Sequence, residues 1–265
     1  MTAIPVLWLK STMKNEAYGK YLSQAYDKLN SEVDAQAFAR FCTDCFEKYA
    51  EVEVKHICEI ACGTGSVAIA LEKKGYKVTA SDLSEDMLSV ADSKAFDERC
   101  KNVIFTKQDM RQFTASNKAG AVICFLDSVN CLTVPKDVKS CFESAYNILV
   151  QGGIFIFDIN SKYKFEKVYA DNAYILENEN VFCAWQNFYE EKKKICDFYL
   201  SFFLENENGL YERHDENIRE KMYTVKNIIS YLNSAGFENI TTVSGFDFNE
   251  ADENTDERIF FIAKK

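Results

Sequence analysis

Between residues 55 and 160 short apolar runs alternate with stretches of helical period, and this alternation restricts the fold more than any other feature of the chain. Strands are expected at 55–60, 77–81, 103–105, 121–126 and 154–159, with helices at 65–74, 85–95 and 136–149 between them. The run Ala121 to Leu126 is almost wholly apolar, as in a strand covered on both faces. Strands joined by helices of this length imply βαβ units, hence a parallel sheet with helices on both faces. Local signals agree. Ser84 can cap the helix that follows it, and Glu85 and Asp86 sit at its positive end. Gly75 ends the preceding helix, and Gly152-Gly153 turn the chain into the strand at 154.

The flanks read differently. Residues 16–30 and 34–50 are expected as helices; in the second, Phe38, Phe41, Cys45 and Phe46 follow the helical spacing, with Asp34 or Ser31 as cap. After Ser161 the helical pattern stops. Residues 173–222 read as long antiparallel strands with turns near 191–194 and 206–209. A helix at 224–235, closed by Gly236, and strands at 239–245 and 257–263 complete the chain. The expected organisation is a leader at 1–15, a core at 16–160, a β-rich insertion at 161–222, and a C-terminal return to the core at 223–265.

With 265 residues, 47% of them hydrophobic, the chain can bury a full core. Its net charge of −10 argues against a nucleic-acid partner, which calls for a basic face. The apolar run Ile4 to Leu9 is too short for a signal core, and nothing approaches the ~20 apolar residues of a membrane span, so a cytoplasmic protein is expected. Most of the ten cysteines lie in apolar stretches and read as buried thiols. Cys42 and Cys45 form a C-x-x-C pair, but the only histidines, His56 and His214, are remote from it, so no metal site is expected.

The sharpest motif is Glu59-Ile60-Ala61-Cys62-Gly63-Thr64-Gly65, between a strand and a helix. Small residues there let a ligand approach the backbone and leave helix N–H groups free. Asp82 ends the next strand, where a carboxylate can accept both hydroxyls of a ribose. Gly63-x-Gly65-x-x-Ala68 also satisfies the dinucleotide fingerprint. Charge separates the two cofactors that fit. Glu59 would repel a pyrophosphate and attract the ammonium and sulfonium of S-adenosylmethionine. Glu59 can equally serve as a helix-cap or backbone acceptor.

At these residues the chain resembles the class I S-adenosylmethionine-dependent methyltransferases. EIACGTG is similar to their first motif, with Ala61 where a first glycine is usual; the variant resembles that of glycine N-methyltransferase. VTASDLSEDML is similar to the second motif. The resemblance implies that Asp82 binds the ribose and that Leu83 and Met87 pack on the adenine. Gln108-Asp109-Met110 resembles the adenine-edge motif, Asp109 accepting the exocyclic amine and the Met110 N–H meeting a ring nitrogen. Phe125-Leu126-Asp127-Ser128-Val129-Asn130 resembles the segment lining the donor and acceptor pockets, which implies roles for Leu126 and Asp127. Ala25-Tyr26-Asp27-Lys28-Leu29 resembles a Tyr-Asp segment that folds over the cofactor; Tyr26 and Tyr18 could shield the sulfonium by cation–π contact or pack as half-buried core tyrosines. The implied fold is an α/β Rossmann-like sheet with a β-rich insertion. The insertion resembles the cover of small-molecule N-methyltransferases, where it forms the acceptor pocket or a homodimer contact.

The implied reaction transfers a methyl group to an N or O atom of a small molecule by in-line displacement, which mainly requires positioning and exclusion of water. A base is needed only if the acceptor must lose a proton. His214 is the candidate, with an exposed strand histidine as the alternative. Arg40 reads as a solvated helix residue. Trp185, Phe188, Tyr189, Phe198, Tyr199 and Tyr211 give the insertion an aromatic face. Two other classes stay open at this point: an NAD(P)-dependent oxidoreductase, and an S-adenosylmethionine-binding protein without catalysis.

Overall fold

The computed structural model describes residues 18–178 and 180–265, so the expected leader at 1–15 lies outside the described residues. The core strands are β1 (His56–Ile60), β2 (Lys77–Asp82), β3 (Val103–Lys107), β4 (Ala119–Cys124), β5 (Leu149–Asn160), β10 (Glu238–Val243) and β11 (Arg258–Lys264). They form a seven-stranded sheet in the order β10-β11-β5-β4-β1-β2-β3. β1 to β5 pair in parallel, whereas β11 runs antiparallel to both β5 and β10. The order reverses between β1 and β4, so a crevice opens beyond the carboxyl ends of these two strands.

Helices cover both faces, as expected. On one face α5 (Pro135–Ile148) and α6 (Val225–Ala235) pack Phe142 and Leu232 against Phe155, Phe157 and Phe261. On the other, α2 (Ala35–Tyr49) and α3 (Ser66–Lys73) pack Phe38, Phe41 and Leu71 against Ile57, Ile123 and Ile156. Each such side chain contributes roughly 1.5–3 kcal/mol on burial. Capping follows the sequence: Asp34 accepts from Ala37 N–H at 3.0 Å, and Ser84 from Met87 N–H at 3.2 Å at the start of α4 (Glu85–Asp97).

The insertion is a separate antiparallel sheet of β6 (Ala173–Asn178), β7 (Val181–Glu190), β8 (Ile195–Glu205) and β9 (Tyr211–Lys221), paired in chain order. Its inner face meets the core through α1 (Lys20–Leu29): Leu22 packs with Met87, Cys183, Leu200 and Phe202. α1 is therefore held between the core and the insertion.

Three local features depart from expectation. β4 stops at Cys124, two residues early, because Leu126 and Asp127 turn into the left-handed region (φ 57° and 55°). β5 begins at Leu149 rather than 154, continuing straight from α5. A π-helical turn, Lys164–Tyr169, joins the core to the insertion and buries Phe165 and Tyr169 against Cys196, Phe198 and Met222. Wide turns of this kind lack a distinct periodicity and often occur at functional sites.

Candidate active site

The bend after β1 places Ala61, Gly63 and Gly65 in the left-handed region, at φ 54°, 53° and 73°. Cys62 N–H donates to Ser81 O and Gly65 N–H to Cys62 O, both at 2.9 Å, so the turn closes on itself beside β2. Asp82 fixes the turn from the end of β2: one carboxylate oxygen accepts from Gly63 N–H at 2.8 Å and the other from Ser84 N–H at 2.9 Å. Each oxygen keeps a second lone pair for a ligand. Burial raises the Asp82 pKa, and the backbone donors oppose that rise.

Two cavities flank this turn, of about 270 and 750 Å3, and Tyr26, Ala61, Gly63, Leu126 and Ser128 line both. The larger is bounded on one side by Asp82, Leu83, Met87, Gln108, Asp109 and Met110, and on another by Tyr18 and Cys131. Its size suits a small-molecule site. The smaller is bounded by Asp27, Glu59, Thr64 and Ser66. Ten of the cofactor residues expected from sequence thus line the larger cavity (Tyr18, Tyr26, Ala61, Gly63, Asp82, Leu83, Met87, Asp109, Met110 and Leu126), and Glu59 lines the smaller.

Glu59 serves as the backbone acceptor, one of its two expected roles. It accepts from Ala68 N–H, yet its Oε2 is buried without a partner among the described residues. Burial pushes its pKa up to about 8, against the pull of that backbone donor. A cation beside it would restore the carboxylate. Asp109 lines the cavity but is ion-paired with Arg111, which holds its pKa below the usual range, and Arg111 also reaches Asp137 at 3.2 Å. The rings of Tyr18 and Tyr26 lie 6.4 Å apart, and the Tyr18 hydroxyl is 3.7 Å from Cys131 Sγ.

Three expected residues line neither cavity. Gly65 serves the turn: it starts α3 and packs under Phe105 and Ala91. Asp127 turns away from the crevice and pairs with Arg258 of β11 at 2.9 Å. His214, on β9, stacks on Tyr21 of α1 with ring centroids 3.5 Å apart, so it is packing material under the helix.

Sequence reasoning missed the residues that fasten α1. Lys94 of α4 donates to Asp27 at 2.6 Å and to Ser66 at 2.7 Å, while Thr64 donates to Asp27 at 2.6 Å. This staple joins α1, the glycine turn and α4. At the other end, α1 has no side-chain cap of its own at Gly19. Glu216 of β9 supplies one, accepting from Tyr18 N–H at 2.8 Å and Gly19 N–H at 3.2 Å.

The comparisons agree with this geometry. The methyltransferase-domain family matches residues 57–153. GWCH70_2453 of Geobacillus sp. (strain WCH70), which carries a methyltransferase name, is 32% identical over 240 residues, covering 91% of this chain and 96% of that protein. A solved S-adenosylmethionine-dependent methyltransferase from Clostridium acetobutylicum ATCC 824 superposes with a TM-score of 0.81 at 30% identity, over 94% of this chain and 99% of that one. The sugar N-methyltransferase KedS8 from Streptoalloteichus sp. ATCC 53650 shares the fold, with a TM-score of 0.75 at 15% identity over 100% and 99% of the two chains. With its sheet order, its motifs and full-length relatives in agreement, the chain belongs to the class I methyltransferases that use S-adenosylmethionine as methyl donor.

Proposed function

We propose that this enzyme moves a methyl group to an N or O atom of a small molecule, in the cytoplasm and without a nucleic-acid partner. The observation that carries the reading is the junction of the two cavities at Tyr26, Ala61, Gly63 and Leu126, with a carboxylate on either side of it. In this reading Asp82 accepts the ribose hydroxyls, Leu83 and Met87 pack on the adenine, and the Met110 N–H meets a ring nitrogen; all four line the larger cavity. The paired Asp109 accepts the adenine amine through a remaining lone pair. Glu59 faces the cationic end of the donor, and its unpartnered Oε2 is what that end would satisfy. Bound there, S-adenosylmethionine supplies an already activated methyl group. The protein's task is then to align the acceptor and exclude water, for which α1 borders both cavities with the insertion packed behind it. Fold likeness to a sugar N-methyltransferase along the whole chain supports an acceptor of small size. The outer face of the insertion, where Ile175 is 62% exposed, is the surface for the expected homodimer.

Calorimetry with S-adenosylhomocysteine tests the assignment. The ligand should bind, NAD should not, and Asp82→Ala should weaken binding by about 1.5–3 kcal/mol, the range for hydrogen bonds to a charged group. An unchanged dissociation constant in that variant would refute the role of Asp82.

A further inference from the structure

Just beyond β3, Asp109 caps a single 3-10 turn, Met110–Gln112, by accepting from the Arg111 backbone N–H at 2.9 Å. Gln108 closes the loop around that turn: its Oε1 accepts from Thr114 N–H at 2.9 Å, and its Nε2 donates to Thr114 O at 3.1 Å. The Arg111 side chain folds back on the same carboxylate. Its Nε lies 2.9 Å from both Asp109 oxygens, and Nη2 donates to Oδ2. Nη1 reaches the other way, to Asp137 Oδ2 in the first turn of α5, at 3.2 Å. Asp109, Arg111 and Asp137 all line the larger cavity. A planar guanidinium thus stands between two carboxylates on one cavity wall, and its fork fixes the plane of Asp109.

A ligand in the cavity meets a carboxylate with little capacity to spare. Each oxygen has two lone pairs. Oδ1 engages both, with the Arg111 backbone N–H and with Nε. Oδ2 accepts from Nη2 and only shares Nε, so the open acceptor position is on Oδ2, in the plane that the fork sets. The hydrogen bonds from Arg111 hold the Asp109 pKa below the usual range, so this group accepts and does not donate. The Arg111 and Asp109 side chains are 40% and 25% exposed, so their ion pair adds little to folding stability. What it does fix is the direction and the protonation state of one acceptor.

We propose that Arg111 is a positioning residue that sets the purine specificity of the donor site: by clamping Asp109 it presents one acceptor to a 6-amino group and rejects a purine with a 6-oxo group. The inference rests on the contact between Asp109 and the adenine amine proposed above. An amino group donates to the open lone pair of Oδ2. A carbonyl in its place sets lone pair against lone pair, and the clamped carboxylate has neither a proton to offer nor freedom to turn aside. Without the fork the carboxylate rotates, the amine loses its aligned partner and the carbonyl is no longer held against one. The Met110 N–H discriminates as well, because the ring nitrogen beside a 6-oxo group carries a proton. That share does not depend on the Arg111 side chain.

Titration calorimetry with S-adenosylhomocysteine and its 6-oxo counterpart, S-inosylhomocysteine, reads the specificity as a ratio of dissociation constants. The wild-type protein should prefer the adenosyl compound by about a hundredfold, the scale of a hydrogen bond to a charged group. Arg111→Met should lower that ratio about tenfold, mainly by weakening the adenosyl compound. Arg111→Lys keeps the charge without the fork, so its ratio should lie between the two, and it carries the test if the methionine variant fails to fold. An arginine with a merely structural role would weaken both ligands alike. A wild-type ratio in either folded variant therefore overturns the proposal. Equal binding of the two compounds by the wild-type protein would remove the contact between Asp109 and adenine, and the proposal with it. Failure of S-adenosylhomocysteine to bind the wild-type protein at all would refute the cofactor assignment itself.

Discussion

Gly63 and Gly65 lie two residues apart in the same bend, yet their replacement by alanine should fail in different ways. Both adopt positive φ, which costs an alanine about 1–2 kcal/mol. Ala61 already tolerates φ 54° in the same turn, so this strain alone is survivable. Around Gly63 an added Cβ meets none of the described residues within 4 Å, because the position faces the cavities. At Gly65 it would lie 2.8 Å from the Phe105 ring and 2.9 Å from Ala91 Cβ. The ring can swing aside, but the Ala91 methyl is fixed to α4, so that helix must shift. Overpacking of this kind adds about 1–3 kcal/mol. Gly65→Ala should therefore lose about 2–5 kcal/mol, a fall in melting temperature of roughly 5–15 °C for a chain of this size. Gly63→Ala should lose only the strain. Its methyl, however, enters the space assigned to the donor, so affinity for S-adenosylhomocysteine should drop about tenfold or more, equivalent to ~1.4 kcal/mol. Scanning calorimetry of both variants, with titration calorimetry of the second, separates the effects. If Gly65→Ala melts no lower than Gly63→Ala, the packing argument is wrong.

Lys94→Met removes the staple on α1 while leaving the sheet intact. The pair is partly exposed, at 26% and 44% for the two side chains, so the loss should be about 1 kcal/mol. Amides of residues 20–29 should exchange about fivefold faster in the S-adenosylhomocysteine complex, by the relation between free energy and population. Unchanged exchange would mean that packing on Leu22 alone holds the helix. For pH, Glu216 and Glu59 have native pKa values raised by burial from 4.5 to about 7 and about 8. The native state therefore binds more protons than the unfolded chain between those limits. This contribution to stability is fully present below pH 4.5 and is lost as pH rises through 7 and 8. The melting temperature should fall from pH 5 to 8, and Glu216→Gln should flatten the slope; a parallel profile in the variant would show that Glu216 does not titrate with folding.

The residues that line the cavities were legible because their determinants are local. Strand, small-residue bend and helix follow within a dozen residues, and Asp82 ends the next strand, so chain order alone places them around one crevice. The contacts that brace the crevice are built across the chain. Arg258 reaches Asp127 over 131 positions, and Glu216 reaches Tyr18 over 198. Along β9, His214, Glu216, Ile218 and Glu220 share one face by alternation, and sequence shows that much. It does not show that this face turns inward, because charged residues at alternate positions ordinarily mark the solvent side. His214 drew the functional reading because it was the only histidine outside the core strands, whereas its two acidic neighbours on the same face carry the structural work. Asp127 lies outside both cavities for a related reason: the motif fixes where the chain leaves β4, but at φ of 55° the side chain pairs with Arg258 of β11. A residue's distance along a motif thus predicts its role only where the backbone stays regular. Where it turns left-handed, at Leu126 and Asp127, adjacent residues part: Leu126 lines both cavities, and Asp127 pairs with Arg258 of β11.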